Sequence, residues 1–182
     1  LVRRGITEEH IPATVVRSTH VYGPGDPNTL QLYKVMRKWK ILPLVGGGKN
    51  LFQPIYVTDL VLALISCMEN KEASGSKVYI VAGNRIVTFR EFLMLSARTM
   101  NVATRDFNVP TALAQMVGTL SEKACQFLGL TPVITQSRIE FFTRSHVYNT
   151  SQITSDLGWS PKTGIETGLR ESIEWYGAQG LL

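Results

Sequence analysis

Cysteine is scarce in this chain: 182 residues hold two, Cys67 and Cys125. They show no CxxC spacing, and each falls in an apolar stretch of helical character, where a thiol behaves as a small hydrophobe. That argues against a disulfide framework or a thiolate metal site and fits a reducing compartment, so a cytoplasmic location is expected. Long apolar runs are lacking too. The longest uncharged stretch near the middle, Val109 to Ser121, ends at Glu122 and Lys123, well short of the roughly 20 residues that cross a bilayer. No transmembrane segment and no secretory signal are read. Like charges never run together: 19 Lys and Arg against 14 Asp and Glu give a net charge of +5. Their dispersal reads as a solvated surface, so no nucleic-acid partner is expected.

Signatures of common chemistry are missing as well. The chain has no HExxH, no GxSxG and no close carboxylate pair in an apolar setting. Its three histidines, His10, His20 and His146, are too far apart to suggest metal ligands. The triplet Gly46-Gly47-Gly48 before Lys49 is not a phosphate loop, because that loop needs a glycine where Pro43 stands and a Ser or Thr where Asn50 stands. It reads as a turn between two extended segments, and no GxGxxG follows a strand.

What is present is an ordinary globular composition, 44% hydrophobic and 18% charged, enough for one sizeable core or a large part of a bigger protein. Extended segments are predicted over Ala13–Tyr22, Leu42–Val45, Phe52–Val57, Lys77–Val81 and Arg105–Val109. Helices are predicted over Pro27–Trp39, Leu60–Glu69 (capped by Thr58 or Asp59), Phe89–Met100 (with a Thr88/Glu91 capping box), Pro110–Leu128 (stopped by Gly129), Thr135–Thr143, Ser151–Leu157 and Ile165–Gln179. This alternation indicates an α/β fold. Leu1-Val2-Arg3-Arg4-Gly5 reads as a helix end with a glycine stop, which predicts further chain before it.

One stretch points to a site. The β-branched run ending at Val16 passes into Arg17, Ser18, Thr19 and His20, then into the turn Gly23-Pro24-Gly25-Asp26. In open parallel sheets, ligands bind beyond the carboxyl ends of the strands. Polar side chains placed there face a crevice without the desolvation penalty of burial. The pattern leaves two readings: ligand contacts, or a buried ion pair for Arg17 and a turn hydrogen bond for His20.

Here the chain resembles a family, the extended short-chain dehydrogenases/reductases, which include NAD-dependent sugar epimerases, dehydratases and 3β-hydroxysteroid dehydrogenases. Four stretches carry the resemblance in the family's order: Val16 to Asp26; Phe52-Gln53-Pro54-Ile55-Tyr56-Val57-Thr58-Asp59-Leu60; Lys77 to Gly83 with Val87-Thr88-Phe89-Arg90-Glu91; and Asn149 to Tyr176 with Leu157-Gly158-Trp159-Ser160-Pro161. The resemblance implies that residues 1–182 are the C-terminal half of such an enzyme. They would hold the late strands of a Rossmann-like doubly wound sheet and the smaller, mainly helical substrate-binding domain. The glycine-rich NAD-binding half and the catalytic Tyr-x-x-x-Lys belong upstream, since no tyrosine here is followed by that lysine spacing. NAD or NADP is the implied cofactor, and this part alone is expected to be inactive.

By the same resemblance, Arg17, Ser18 and Thr19 lie against the nicotinamide carboxamide, and His20, Gln53 and Arg144 reach the substrate. Arg138, about two helical turns before Arg144, is its neighbour. Asp59 is assigned to helix capping rather than catalysis. Phe52 stands where sugar-nucleotide members place an arginine on the substrate pyrophosphate, a bidentate contact that phenylalanine cannot make. The resemblance implies a nucleotide sugar or an apolar alcohol or ketone as substrate, and this departure counts against the nucleotide sugar. The apolar helix from Pro110, with Gly129-Leu130-Thr131-Pro132 behind it, is more like the steroid side of the family. The full-length protein is expected to transfer hydride at a carbinol carbon, with homodimerisation open. A module that binds or regulates without turnover is the alternative.

Overall fold

The computed structural model describes residues 13–128 and 136–182. In the first half they form β1 (Val15–Ser18), β2 (Val21–Tyr22), α1 (Pro27–Trp39), β3 (Ile41–Val45), β4 (Leu51–Phe52), β5 (Ile55–Tyr56), α2 (Val57–Glu69) and α3 (Lys71–Ser74). There follow β6 (Val78–Val81), β7 (Val87–Thr88), α4 (Phe89–Thr99), β8 (Arg105–Val109), α5 (Thr111–Leu128), α6 (Gln136–Thr143), α7 (Ser151–Leu157) and α8 (Ile165–Ala178). The chain divides into two compact units. Unit 1 holds the residues up to Asp26 with Gln53–Ile86 and Val147–Trp175; unit 2 holds Pro27–Phe52, Val87–His146 and Tyr176–Leu182. Among the described residues three of the four ladders are parallel, as expected of an α/β fold.

In unit 1, β1 pairs with β6 from Val15↔Val78 to Ser18↔Val81, and β2 pairs with β5. The extended run predicted over residues 13–22 is therefore broken at Thr19 and His20. The reason is a change of partner: the Thr19 amide donates to Val81 O, whereas the next carbonyl, of His20, accepts from Ile55 N. Ile55, Ala63, Cys67, Tyr79, Val81, Ile153 and Trp159 form the core. The thiol of Cys67 is buried in α2, and its pKa is raised by that burial. Helix α7 closes on Gly158, whose φ of 63° is the left-handed stop that glycine favours. It is fastened to β6 by Asp156, whose Oδ2 accepts from Lys77 Nζ at 2.8 Å and from the Tyr79 hydroxyl at 3.0 Å.

The capping role expected for Thr58 or Asp59 is corrected. Helix α2 begins at Val57, its N-cap is Tyr56, and no side chain caps it. Asp59, 2% exposed, instead accepts from the backbone amides of Lys162 at 3.1 Å and Thr163 at 3.0 Å. A carboxylate in the first turn of a helix meets a favourable dipole; here it also binds the segment that enters α8.

In unit 2, β3 and β8 pair in parallel over five positions, and β4 and β7 pair antiparallel. Helix α1 spans the predicted residues, opens on Pro27, and buries Thr29, Tyr33 and Met36 on one side. Thr88 caps α4 through its hydroxyl, which accepts from Glu91 N at 3.0 Å. The glycine triplet is a single 3-10 turn with φ values of 60°, 76° and 61°. The Gly47 amide is already committed to Asn108 Oδ1 at 2.7 Å. Residues 1–5, His10, Gly129 with the segment to Pro132, and the side chains of Cys125 and Arg138 lie outside what is described.

Candidate functional site

The carboxyl end of β1 is held by short bonds within unit 1. The Thr19 hydroxyl donates to Gln53 O at 2.6 Å, and Gln53 Nε2 donates to Gly83 O at 2.7 Å, just past the end of β6. Because the nitrogen must face that carbonyl, the other amide atom is fixed: Gln53 Oε1 is buried and has no hydrogen-bond partner. Gly83 allows this closeness, since a Cβ there would overlap the carbonyl oxygen of Pro54. Arg17 and Ser18, directly before this brace, are exposed. Five of the six sequence-derived site residues, Arg17, Ser18, Thr19, His20 and Gln53, thus belong to one region of unit 1.

The imidazole of His20 is desolvated, which lowers its pKa below the ordinary 6.5; the carboxylate of Asp26 opposes that shift more weakly. His20 is therefore neutral at pH 7 and offers a hydrogen bond rather than a positive charge. Behind it, Tyr22 and Tyr56 pack with ring centroids 5.6 Å apart. Burial, and then neighbouring carboxylates, push Tyr22 well above the ordinary phenol value. Burial, then a hydrogen bond with Glu171, pushes Tyr56 up to about 12. Neither phenol is poised to exchange a proton near neutrality. Among the described residues no group of three His, Cys, Asp or Glu side chains is placed to hold a metal ion.

Arg144 belongs to unit 2. Its side chain is 70% exposed and pairs with Glu140, four residues back, at 3.5 Å. That is a surface pair of small energetic consequence. Phe52, where the resemblance sets an arginine, is 2% exposed. Its ring lies 5.9 Å from Phe89 and 5.4 Å from Phe92, edge-on to the latter, while Phe142 stands 5.0 Å from Phe89. Sequence reasoning missed this aromatic cluster and the Asp59 bridge. The cluster's one available signal was Phe89 and Phe92, three apart on a capped helix; the Asp59 bridge spans more than 100 positions and left none.

Comparison with known proteins agrees with this architecture. Residues 1–82 match the NAD dependent epimerase/dehydratase family. A 3beta-hydroxysteroid-dehydrogenase/decarboxylase of Arabidopsis thaliana is 26% identical over 174 residues, 88% of this chain and 39% of that protein. An NADH dehydrogenase [ubiquinone] 1 alpha subcomplex subunit 9 of Dictyostelium discoideum is 35% identical over 89 residues, 48% of this chain and 24% of that protein. Among solved structures, an epimerase of Methanothermobacter thermautotrophicus superposes with a TM-score of 0.75 at 14% identity, over 98% of this chain and 47% of that one. The chain thus spans less than half the length of each of these three. The family match over residues 1–82, these relatives and the parallel α/β architecture together support an extended short-chain dehydrogenase/reductase protein.

Proposed function

We propose that this chain is the C-terminal, substrate-binding part of an NAD(P)-dependent oxidoreductase that transfers hydride at the carbinol carbon of an uncharged, apolar alcohol or ketone. The observation that carries the reading is the carboxyl end of β1, where Arg17 and Ser18, the exposed last two residues of a parallel strand, run into the brace made by Thr19 and Gln53. In this reading Arg17, Ser18 and Thr19 border the nicotinamide, and His20 and Gln53 meet the substrate. The acid/base group and most of the cofactor site lie in a part of the enzyme beyond these residues.

Two observations favour an apolar substrate over a nucleotide sugar. Phe52 is locked into an aromatic cluster and presents no charge, and His20 is neutral. Pyrophosphate recognition rests on cations with fork-shaped donors, and Arg144 is the one sequence-derived substrate contact of that kind. The Arabidopsis relative is named for a 3β-hydroxysteroid, which supports the same substrate class. The Dictyostelium relative is named as a subunit of an NADH dehydrogenase, which favours a second reading, a binding module without turnover.

Calorimetric titration of the 182-residue chain with NAD and with NADP is expected to show no tight binding. A micromolar dissociation constant would overturn the placement of the cofactor site elsewhere. Titration with a cyclodextrin-solubilised 3β-hydroxysterol and with UDP-glucuronate then tests the substrate class. Saturable sterol binding is expected; binding of the UDP-sugar alone would refute the apolar assignment.

A further inference from the structure

In the first turns of helix α5 two small residues face inward and the large apolar ones outward. Ala114 and Gly118, one turn apart, are buried. Leu113, Met116, Val117 and Leu120 are 46%, 55%, 42% and 59% exposed. Their spacing of i, i+3, i+4 and i+7 sets all four on one side of the helix. A surface helix of a water-exposed domain does the reverse, and an apolar stripe of this kind marks a contact surface.

Charge is divided as unevenly. Unit 2 contains eleven Lys and Arg against four Asp and Glu, and unit 1 eight against ten, so net charges of +7 and −2 make up the chain's +5. Pro27 to Phe52 has five basic residues and no acidic one. Arg37, Lys38 and Lys40 at the end of α1 are exposed, and Trp39 among them is 62% exposed, with the Lys38 ammonium 5.3 Å from its ring centre. The Arg105 amide donates to Lys40 O at 3.0 Å, which gathers Lys40 and Arg105 at one end of the β3–β8 ladder. Phe107, two residues along β8 and 54% exposed, shares a face of the ladder with Arg105, and Pro110 leads from there into α5.

The chain has a second apolar helix face, that of α2, where Val61, Ile65 and Met68 are exposed. It belongs to the unit of net charge −2 and runs into Glu69, Lys71 and Glu72, so it offers no excess of cations to attract anionic headgroups. Among the described residues, exposed apolar side chains join an excess of cations in unit 2 and not in unit 1. Among the described residues no helix is long and apolar enough to cross a membrane, which leaves attachment within the interface.

We propose that unit 2 docks on the surface of an anionic lipid bilayer. Helix α5 lies in the plane of the interface with Leu113, Met116, Val117 and Leu120 against the acyl chains. Arg37, Lys38, Lys40 and Arg105 supply the attraction to headgroup phosphates. The inference does not rest on the substrate reading, and its test involves no turnover.

The test is co-sedimentation of the 182-residue chain with vesicles of phosphatidylcholine alone and with about one third phosphatidylserine. Binding to the anionic vesicles is expected, weakened about tenfold or more in roughly 0.5 M salt, where screening shortens the reach of charge. M116E/L120E and K38E/K40E are each expected to lose about tenfold or more in affinity, while V61E/I65E binds as the unsubstituted chain does. A thermal melt by circular dichroism checks that each variant keeps its fold. In the unsubstituted chain, brominated phosphatidylserine should quench an emission component that W39F removes. Four results would each overturn the proposal: no sedimentation with anionic vesicles, equal binding to neutral ones, undiminished binding by M116E/L120E, or no bromolipid quenching. A soluble dimer abolished by M116E/L120E, together with absent vesicle binding, would overturn it in favour of self-association.

Discussion

Replacing Asp59 by alanine tests the reassignment of this residue from helix cap to tertiary bridge. The carboxylate is 2% exposed and accepts two backbone amides, Lys162 N on Oδ1 and Thr163 N on Oδ2. Truncation removes the acceptor of both donors in a partly buried setting. Each such orphan costs about 1 to 3 kcal/mol, so Asp59→Ala is expected to destabilise unit 1 by about 2 to 6 kcal/mol. Asp59→Asn preserves the shape but sets an amide N–H against one of the two donors, for a smaller loss of about 2 kcal/mol. A simple helix cap would cost about 1 kcal/mol on truncation. The assay is urea unfolding followed by tryptophan fluorescence in a W39F background, in which the remaining Trp159 and Trp175 both belong to unit 1. With a urea slope of about 2 to 3 kcal/mol per molar, the Asp59→Ala midpoint should fall by about 0.7 to 3 M. A fall below about 0.3 M, or an Asp59→Asn variant as stable as the parent, would refute the bridge.

Three further outcomes follow from the same geometry. Hydrogen bonds from Lys77 and then Tyr79 hold the Asp156 carboxyl below the ordinary carboxylate range. The stabilisation this gives is full above the unfolded value of about 3.9 and is lost as acid protonates the group through its lower folded value. Melts from pH 6 downward, about 1 pH step apart, should show the parent's advantage over Asp156→Asn shrinking below about pH 4, and a gap that stays constant would contradict this. Gly83→Ala drives a methyl group onto the Pro54 carbonyl; a loss of about 1 to 3 kcal/mol in thermal unfolding is expected, and an unchanged melt would show that the segment has room. Phe52→Ala removes a ring 2% exposed from between Phe89 and Phe92, for a loss of about 3 to 5 kcal/mol from unit 2 by chemical unfolding. A change under about 1 kcal/mol would mean that Phe52 is not a core residue.

The assignment of an apolar substrate and the inference of lipid docking rest on different residues and can fail separately. Phe52 and His20 concern the charge that a bound molecule meets. The α5 stripe and the cations of unit 2 concern a surface. A chain that binds sterol but no vesicle, or vesicles but no sterol, would retain one conclusion and lose the other.

The sequence alone determined the elements whose causes are local. Helix α1 begins at its proline and carries its apolar side at helical spacing; α4 starts at a threonine cap; α7 stops at a left-handed glycine. Local rules sufficed there because each depends on residues within a turn or two of one another. The alternation of strand and helix and the polar end of β1 were legible for the same reason. Tertiary structure decided what depends on partners distant in sequence. The predicted strand over residues 13–22 breaks because successive backbone groups bond to different strands, and nothing in its own residues signals the change. Asp59 faces two amides that lie 103 and 104 positions away, so a first-turn carboxylate read as a cap became a bridge. The scattered basic residues read as an even, solvated surface until folding sorted them into two units of opposite net charge. The apolar side of α5 was visible in its periodicity, but periodicity gives only the face; whether it turns toward a core or away from one is set by the residues packed against it.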